Sequence, residues 1–299
     1  DESTTIKNPK AKRTKHLIKL APLADYRRIL TGFPITKAPL DLYSQCYFLS
    51  PNLLGFSSYY AFSARYAITQ ARRMGSHSFQ QIVGFQRLEE LQESIKDFSI
   101  RKTKDQCLDL PPKVYTKRYV ELTDEQKKAY GTMKQKALMV LENEVFSTMN
   151  VLTQIMRLQQ VVAGSLRNED GETIVLKNNR VRTVLDLLEE TSDKAVIFAV
   201  FQTDIQQLEK AIAEKFGEGS VASYYGKTPQ DERQRIIDKF QDPESELRYF
   251  ISNPQTGGRG ITLTEAGTMI FYSNSYDLEL RVQAEDRIHR IGQDKSCTY

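Results

Sequence analysis

From about residue 180 onward, this 299-residue chain alternates short apolar runs with amphipathic helical stretches, and that alternation constrains the fold more than any other feature. Ala195–Phe201 (AVIFAVF) is apolar at every position. It is far shorter than the ~20 residues that cross a bilayer. Similar short runs recur at Val221–Tyr225, Arg248–Ser252 and Thr268–Tyr272, with a last one beginning at Cys297. Between them, Arg180–Glu190, Asp204–Phe216, Pro229–Phe240 and Leu278–Ile291 carry helical periodicity. A strand that is apolar on both sides must be covered on both faces, which is the condition of a parallel sheet flanked by helices.

Upstream the pattern is different. A strand-like run at Tyr26–Leu30 ends in Thr31-Gly32-Phe33-Pro34. Residues 40–100 read as mostly helical and rich in aromatics, among them Tyr43, Tyr47, Phe56, Tyr59, Phe62 and Tyr66. Such a stripe is expected to pack as core. A basic connector follows, Ile100–Lys117, in which Pro111-Pro112 enforces an extended path. A strand is expected at Arg118–Leu122, and Thr123-Asp124-Glu125-Gln126 has the form of a capping box opening a helical region that runs to about Val162. These changes divide the chain into segments 1–45, 46–117, 118–170 and 171–299.

Composition narrows the function classes. With 40% hydrophobic and 27% charged residues the chain is neither disordered nor collagen-like. The first residues, acidic and then basic, form no secretory signal. Three widely spaced cysteines, with no CxxC pair, suggest neither a disulfide framework nor a zinc site and point to a reducing, intracellular setting. The missing initiator Met, and Tyr299 lying inside an expected strand, read as the marks of a fragment. A net charge of +4 permits an anionic partner without requiring one.

Ligands of open parallel sheets bind beyond the carboxyl ends of the strands. Ser252–Glu265 (SNPQTGGRGITLTE) follows such a strand, and its glycines allow a tight turn and an anion-binding nest. In Gln283–Gln293 (QAEDRIHRIGQ), Gln283, Arg287 and Arg290 are spaced i, i+4, i+7 on one helical face, with Ala284, Ile288 and Ile291 on the apolar side. Two fixed guanidiniums suit a terminal phosphate. An acid pair, Asp1-Glu2, could hold Mg²⁺ and orient a water. Gly226-Lys227-Thr228 is not a P-loop, because position 221 is Val; Thr228 reads instead as a helix N-cap with Pro229 at the first helical position.

In order, these segments resemble helicase superfamily two, and within it the Swi/Snf-type branch of duplex-DNA translocases. Asp1-Glu2-Ser3-Thr4 is similar to the DEAH-box position and Leu30–Ile35 to the LTGTPI motif. Ile100–Lys104 with Leu110–Lys113 is similar to the basic connector between lobes, Ala195–Phe201 to motif IV, Ser252–Glu265 to motif V and Gln283–Gln293 to motif VI. Tyr272–Gln293 looks most like phage and bacterial members. Ser3-Thr4 stand where the branch has Ala-His, and Phe33 where it has a second Thr.

The resemblance implies an α/β protein of two tandem RecA-like lobes, the first truncated at its N-terminus, with parallel sheets and helical insertions. It implies ATP and Mg²⁺ as cofactors and double-stranded DNA as partner, in the cytoplasm of a bacterial or phage-infected host cell. Asp1 would hold the metal and Glu2 the attacking water. Arg287 and Arg290 would reach the γ-phosphate, Gly258, Gly260 and Gln283 would line the nucleotide, and both glycines would share in coupling it to DNA. Thr262 would couple nucleotide to DNA, and Arg101, Lys102 and Lys104 would grip DNA phosphates. Lys7, Lys10, Lys12, Arg13 and Lys15 offer a further basic surface. Because no GxxxxGK[ST] occurs, the fragment alone is not expected to hydrolyse ATP. A strand-separating helicase, or a DNA-binding module without ATPase activity, remain the alternatives.

Overall fold

The computed structural model describes residues 1–74, 77–142, 148–167, 172–258 and 260–299. The chain forms two compact units, Asp1–Gln106 and Cys107–Tyr299. Parts of the Gly-rich loop (Arg259) and of the helical stretch 123–162 (residues 143–147) lie outside the described residues.

The first unit begins with helix α1 (Lys12–Leu20), followed by α2 (Leu42–Leu49) and α3 (Tyr59–Tyr66). Its core is the aromatic stripe: Tyr43, Phe62 and Tyr66 are buried together with Leu40, Leu42 and Leu91. Phe62 lies 5.4 Å from Phe56 and 4.9 Å from Tyr66, in the tilted and edge-on arrangements aromatic quadrupoles favour. The expectation of helix throughout 40–100 is corrected here. Strands β1 (Ala67–Met74) and β2 (His77–Phe85) pair antiparallel as a two-stranded ribbon before α4 (Leu88–Lys96) and α5 (Lys104–Cys107). The β-branched pairs Ile68-Thr69 and Ile82-Val83 on either side of Gly75-Ser76 were the hairpin signal. The strand expected at Tyr26–Leu30 is also absent. Its backbone bond to the motif at the start runs from Ser3 N–H to Leu30 O, and Tyr26 is exposed, so no described strand lies beside it to form a ladder.

The second unit starts with β3 (Lys113–Val114), five residues before the strand expected at Arg118–Leu122, where no ladder forms and Tyr119 is exposed. Helices α6 (Asp124–Glu142) and α7 (Thr148–Ala163) pack together. The capping box at the start of α6 is present: Gln126 N–H donates to Thr123 Oγ1, and Thr123 N–H donates to Gln126 Oε1 at 3.1 Å. A short ribbon, β4 (Ser165–Arg167) and β5 (Thr173–Val175), precedes α8 (Arg180–Glu190). Then follow β6 (Lys194–Phe198), α9 (Gln202–Phe216), β7 (Val221–Tyr224), α10 (Gln230–Gln241), β8 (Tyr249–Ser252), α11 (Pro254–Gly257), β9 (Ala266–Phe271), α12 (Leu278–Glu285) and β10 (Cys297–Thr298).

Six of these strands form one sheet in the order β3-β10-β9-β6-β8-β7, with every pair parallel. β6 lies in its interior and is buried along its whole length. Val196 and Phe198 point to one face, packing with Phe240, Ala284 and Ile288, while Ala195 and Ile197 point to the other, packing with Leu188, Ile205 and Leu208. α10 and α12 therefore cover one face, and α8 and α9 the other. This is the two-sided burial expected of an apolar run, worth about 1.5–3 kcal/mol for each fully buried large side chain.

Two local expectations change. Thr228 is not the cap of α10: Pro229 takes that position, while Thr228 Oγ1 accepts Tyr225 N–H at 3.0 Å and donates to Ser223 O, closing the turn. The helix expected to reach Ile291 ends at Glu285, so Ile291 leaves the apolar face and is exposed. Ala284 and Ile288 stay buried.

Candidate nucleotide and nucleic-acid site

β8 and β9 are joined across their carboxyl and amino ends by the Gly-rich segment, and the chain beyond β9 returns through α12. Asn253 opens α11 by accepting Gln255 N–H at 2.8 Å. Gly257 packs so closely on Ser252 that a Cβ would meet Ser252 Oγ at 2.2 Å. Gly258 follows directly as the C-cap of α11. Gly260 has φ +71°, a left-handed conformation that side chains disfavour. Together these glycines bring the Ile261 carbonyl round to α12.

There it meets the predicted arginines. Arg287 Nη1 donates to Ile261 O at 3.1 Å and Arg290 Nη1 to the same oxygen at 3.3 Å. Arg287 Nε also donates to Gln283 O at 2.9 Å. Gln283, Arg287 and Arg290 are thus brought together with the Gly-rich loop, although the two arginines lie in turns beyond the end of α12. Leu263 N–H donates to Arg287 O at 2.9 Å, and Gln293 Nε2 reaches the carbonyls of Thr264, Ala266 and Ile288 at 3.0 Å. The neighbouring acids are engaged by the connector and by Arg281. Glu285, nearly buried, faces Lys113 Nζ at 3.3 Å, Arg281 Nε at 2.9 Å and the Tyr115 hydroxyl at 2.7 Å. Asp286 lies 3.5 Å from Lys113.

Gly260 and Thr262 line a cavity of about 560 Å³ with Tyr224, Gln230, Arg233 and Gln234. It opens at the carboxyl end of β7, where a parallel sheet receives ligands. Arg233 is held against its wall by bonds to Thr228 O and Tyr225 O.

The first unit carries the acid pair. Asp1 is exposed, and its Oδ1 accepts Glu2 N–H at 2.8 Å. Glu2 has φ +55° and ψ +50°, a left-handed backbone costing about 1–3 kcal/mol outside glycine. The next residue is anchored by a side chain that sequence reasoning missed. Ser3 Oγ donates to Gln45 Oε1 at 2.6 Å, and Gln45 Nε2 donates to Pro34 O at 2.7 Å and to Asp41 O at 2.9 Å. The acid pair and Leu30–Ile35 are therefore joined through one buried amide, with Ser3 in the place of Ala. A lone Gln inside the apolar run LYSQCYFL was its only sequence signal. Arg101 and Lys102 are exposed and Lys104 is half-buried at the start of α5. Lys12, Arg13 and Lys15 form an exposed basic face on α1.

Among the described residues no group of three or more potential ligands is arranged for a metal ion. Mg²⁺ takes one or two carboxylates and keeps several waters, so an exposed carboxylate such as Asp1 fits it. The guanidiniums of Arg287 and Arg290 fit phosphate oxygens, which accept hydrogen bonds as the Ile261 carbonyl does here.

Residues 1–165 match the SNF2-related domain. The chain belongs to the SNF2-related family. Residues 177–292 match the Helicase conserved C-terminal domain. Over 99% of its length the chain is 28% identical to the Mycoplasma genitalium "Uncharacterized ATP-dependent helicase MG018", of which it covers 27%. It is 28% identical, again over 99% of its length, to the Arabidopsis thaliana "ATP-dependent DNA helicase DDM1", covering 40% of that protein. All of the chain aligns with 61% of the Sulfolobus solfataricus SWI2/SNF2 ATPase core in complex with dsDNA, at 29% identity and a TM-score of 0.52. The chain therefore spans well under half of these curated relatives. SNF2-family members are DNA-dependent ATP hydrolases, and the six-stranded parallel sheet is of the RecA-like kind found in those ATPases.

Proposed function

We propose that this SNF2-family chain is part of a DNA-dependent ATPase motor and holds the arginines and the acid pair of the catalytic site, coupling ATP hydrolysis to movement along duplex DNA. The observation that carries this reading is the meeting of Arg287 and Arg290 on the Ile261 carbonyl, beside a sheet end suited to ligands. Both guanidiniums reach the γ-phosphate and stabilise charge as it develops, work worth about 10³–10⁵ in rate where an arginine finger has been measured. Gln283, Gly258 and Gly260 shape the nucleotide's surroundings. Asp1 holds Mg²⁺, which when bound neutralises charge on the phosphate oxygens. Glu2, fixed by its unusual backbone, orients the attacking water. Thr262 in its cavity and Arg101, Lys102 and Lys104 hold DNA phosphates without reading bases. The setting proposed is the cytoplasm of a bacterial or phage-infected cell.

The test is phosphate release by the full-length protein, alone, with single strands and with duplex DNA. Duplex is expected to stimulate strongly and single strands weakly. Arg290→Ala is expected to abolish turnover while leaving duplex affinity within a few fold. Intact DNA binding with no turnover under any condition would overturn the motor reading in favour of a regulatory module.

A further inference from the structure

The connector strand is bound along most of its length, to β10 and to the acids and histidine that flank the arginines. β3 pairs in parallel with β10, Cys297 opposite Lys113 and Thr298 opposite Val114. Cys297 N–H donates to Pro112 O, Tyr299 N–H to Val114 O and Thr116 N–H to Tyr299 O. The Tyr115 and Tyr299 rings stack at 5.2 Å, and the Tyr299 hydroxyl donates to Glu285 O at 3.1 Å. His289 Nε2 lies 2.9 Å from Pro111 O. Lys113 Nζ sits between Glu285 and Asp286. Burial, with the bond to Glu285, pushes the Tyr115 hydroxyl up to about 12, so it stays a donor at neutral pH.

These partners are interleaved with the arginines. Glu285 and Asp286 directly precede Arg287, and His289 directly precedes Arg290. α12 ends at Glu285, so both arginines lie beyond it; Arg287 is tied back to the helix through Gln283 O, and Arg290 makes no such bond to it among the described residues. Their turn is held by Ile261 O, Gln283 O and Leu263 N–H on the sheet side of the unit, and through Glu285, Asp286 and His289 by the connector. That connector is also where the chain passes from the first unit to the second, at Gln106–Cys107.

We infer that Lys113 and Tyr115 are positioning residues: by holding Glu285 and Asp286 they latch the connector to the arginine turn and set where Arg287 and Arg290 point. The inference rests on the catalytic role proposed for those arginines. Displacing a catalytic group by about 1 Å costs up to about 10²-fold in rate, whereas the contacts proposed for the rest of the nucleotide, from Gln283, Gly258 and Gly260, are untouched by such a shift. The latch consequently acts on kcat more than on KM. It also makes the ATPase sensitive to the connector's path, which a merely stabilising ion pair would not.

The experiment measures kcat and KM for ATP in the full-length protein at saturating duplex DNA, for Lys113→Met, Lys113→Arg, Tyr115→Phe and Arg290→Ala, with thermal unfolding and duplex affinity alongside. Lys113→Met is expected to lower kcat about 10- to 100-fold with KM within about twofold. Tyr115→Phe, which keeps the ring stack and removes one bond to a charged acceptor, should lower kcat about 10-fold and serves where Lys113→Met fails to fold. Lys113→Arg should restore most of the rate. If Arg290→Ala is inactive while folded Lys113→Met and Tyr115→Phe keep kcat within about twofold, the latch is wrong and the arginine role stands. Normal turnover by Arg290→Ala would overturn the arginine role, and the latch with it.

Discussion

At the scale of single residues, the chemistry-bearing positions were legible because their identities are local, while their partners were not because those are set by the fold. Arg287 and Arg290 announce themselves by spacing; that both meet Ile261 O, far back in the chain, requires the sheet to be built first. Gln45 shows the same limit. Nothing near it in sequence predicts the Ser3 hydroxyl or the Pro34 carbonyl it holds. Gln45→Leu conserves volume but takes from the buried Ser3 hydroxyl its acceptor and from the partly buried carbonyls of Pro34 and Asp41 a donor; a buried polar group left unsatisfied costs about 1–3 kcal/mol. Its unfolding midpoint in urea should fall by the equivalent of about 1–3 kcal/mol with little change in slope. An unchanged midpoint would show that water replaces the amide at no cost.

At the scale of elements, the second unit was read well and the first poorly, and the reason is neighbours. β6 is apolar on both faces because it is interior to the sheet, so its pattern carries its environment; the stretch Tyr26–Leu30 has a strand-like composition but no described strand beside it. The ribbon of β1 and β2 went unread because residues of a two-stranded element exposed on both faces need not alternate in polarity. Ile68, Phe79, Ile82 and Val83 are all exposed. α9 supplies a prediction. Asp204 in its first turn is buried, and burial raises its carboxyl to about 7 against the partial offset of Arg180 and of Ser273, which donates to it at 3.3 Å. The unfolded chain titrates near 3.9, so the native state binds this proton more tightly. This group's contribution to stability is therefore greatest below about pH 4, falls as pH rises to about 7 and is constant beyond, a loss of a few kcal/mol at most. Urea midpoints across that range should decline with pH, and Asp204→Asn should flatten the decline. A slope unchanged in Asp204→Asn would assign it to other groups.

At the scale of the whole molecule, the charge is modest, +4 overall, but locally concentrated on α1 and in Arg101–Lys104. Contacts to phosphates release counterions, so duplex affinity should fall steeply between roughly 50 and 200 mM salt, by about 10³–10⁵-fold if 6–10 phosphates are held. A titration showing a flat response would argue against a groove that follows the backbone. The placement of β10 has a separate consequence, for the order in which the molecule is made. β3 is the first strand of the six-stranded sheet to be synthesised, yet it reaches that sheet only through β10, whose residues Cys297 and Thr298 follow every other strand of the sheet in the chain. On a ribosome, where chains fold as they emerge at about 5–20 residues per second, Lys113 and Val114 have no strand of that sheet to pair with until its other five have been made. The first strand of this sheet to leave the ribosome is the last to be locked in, and the arginine turn takes its final shape only once β10 has emerged.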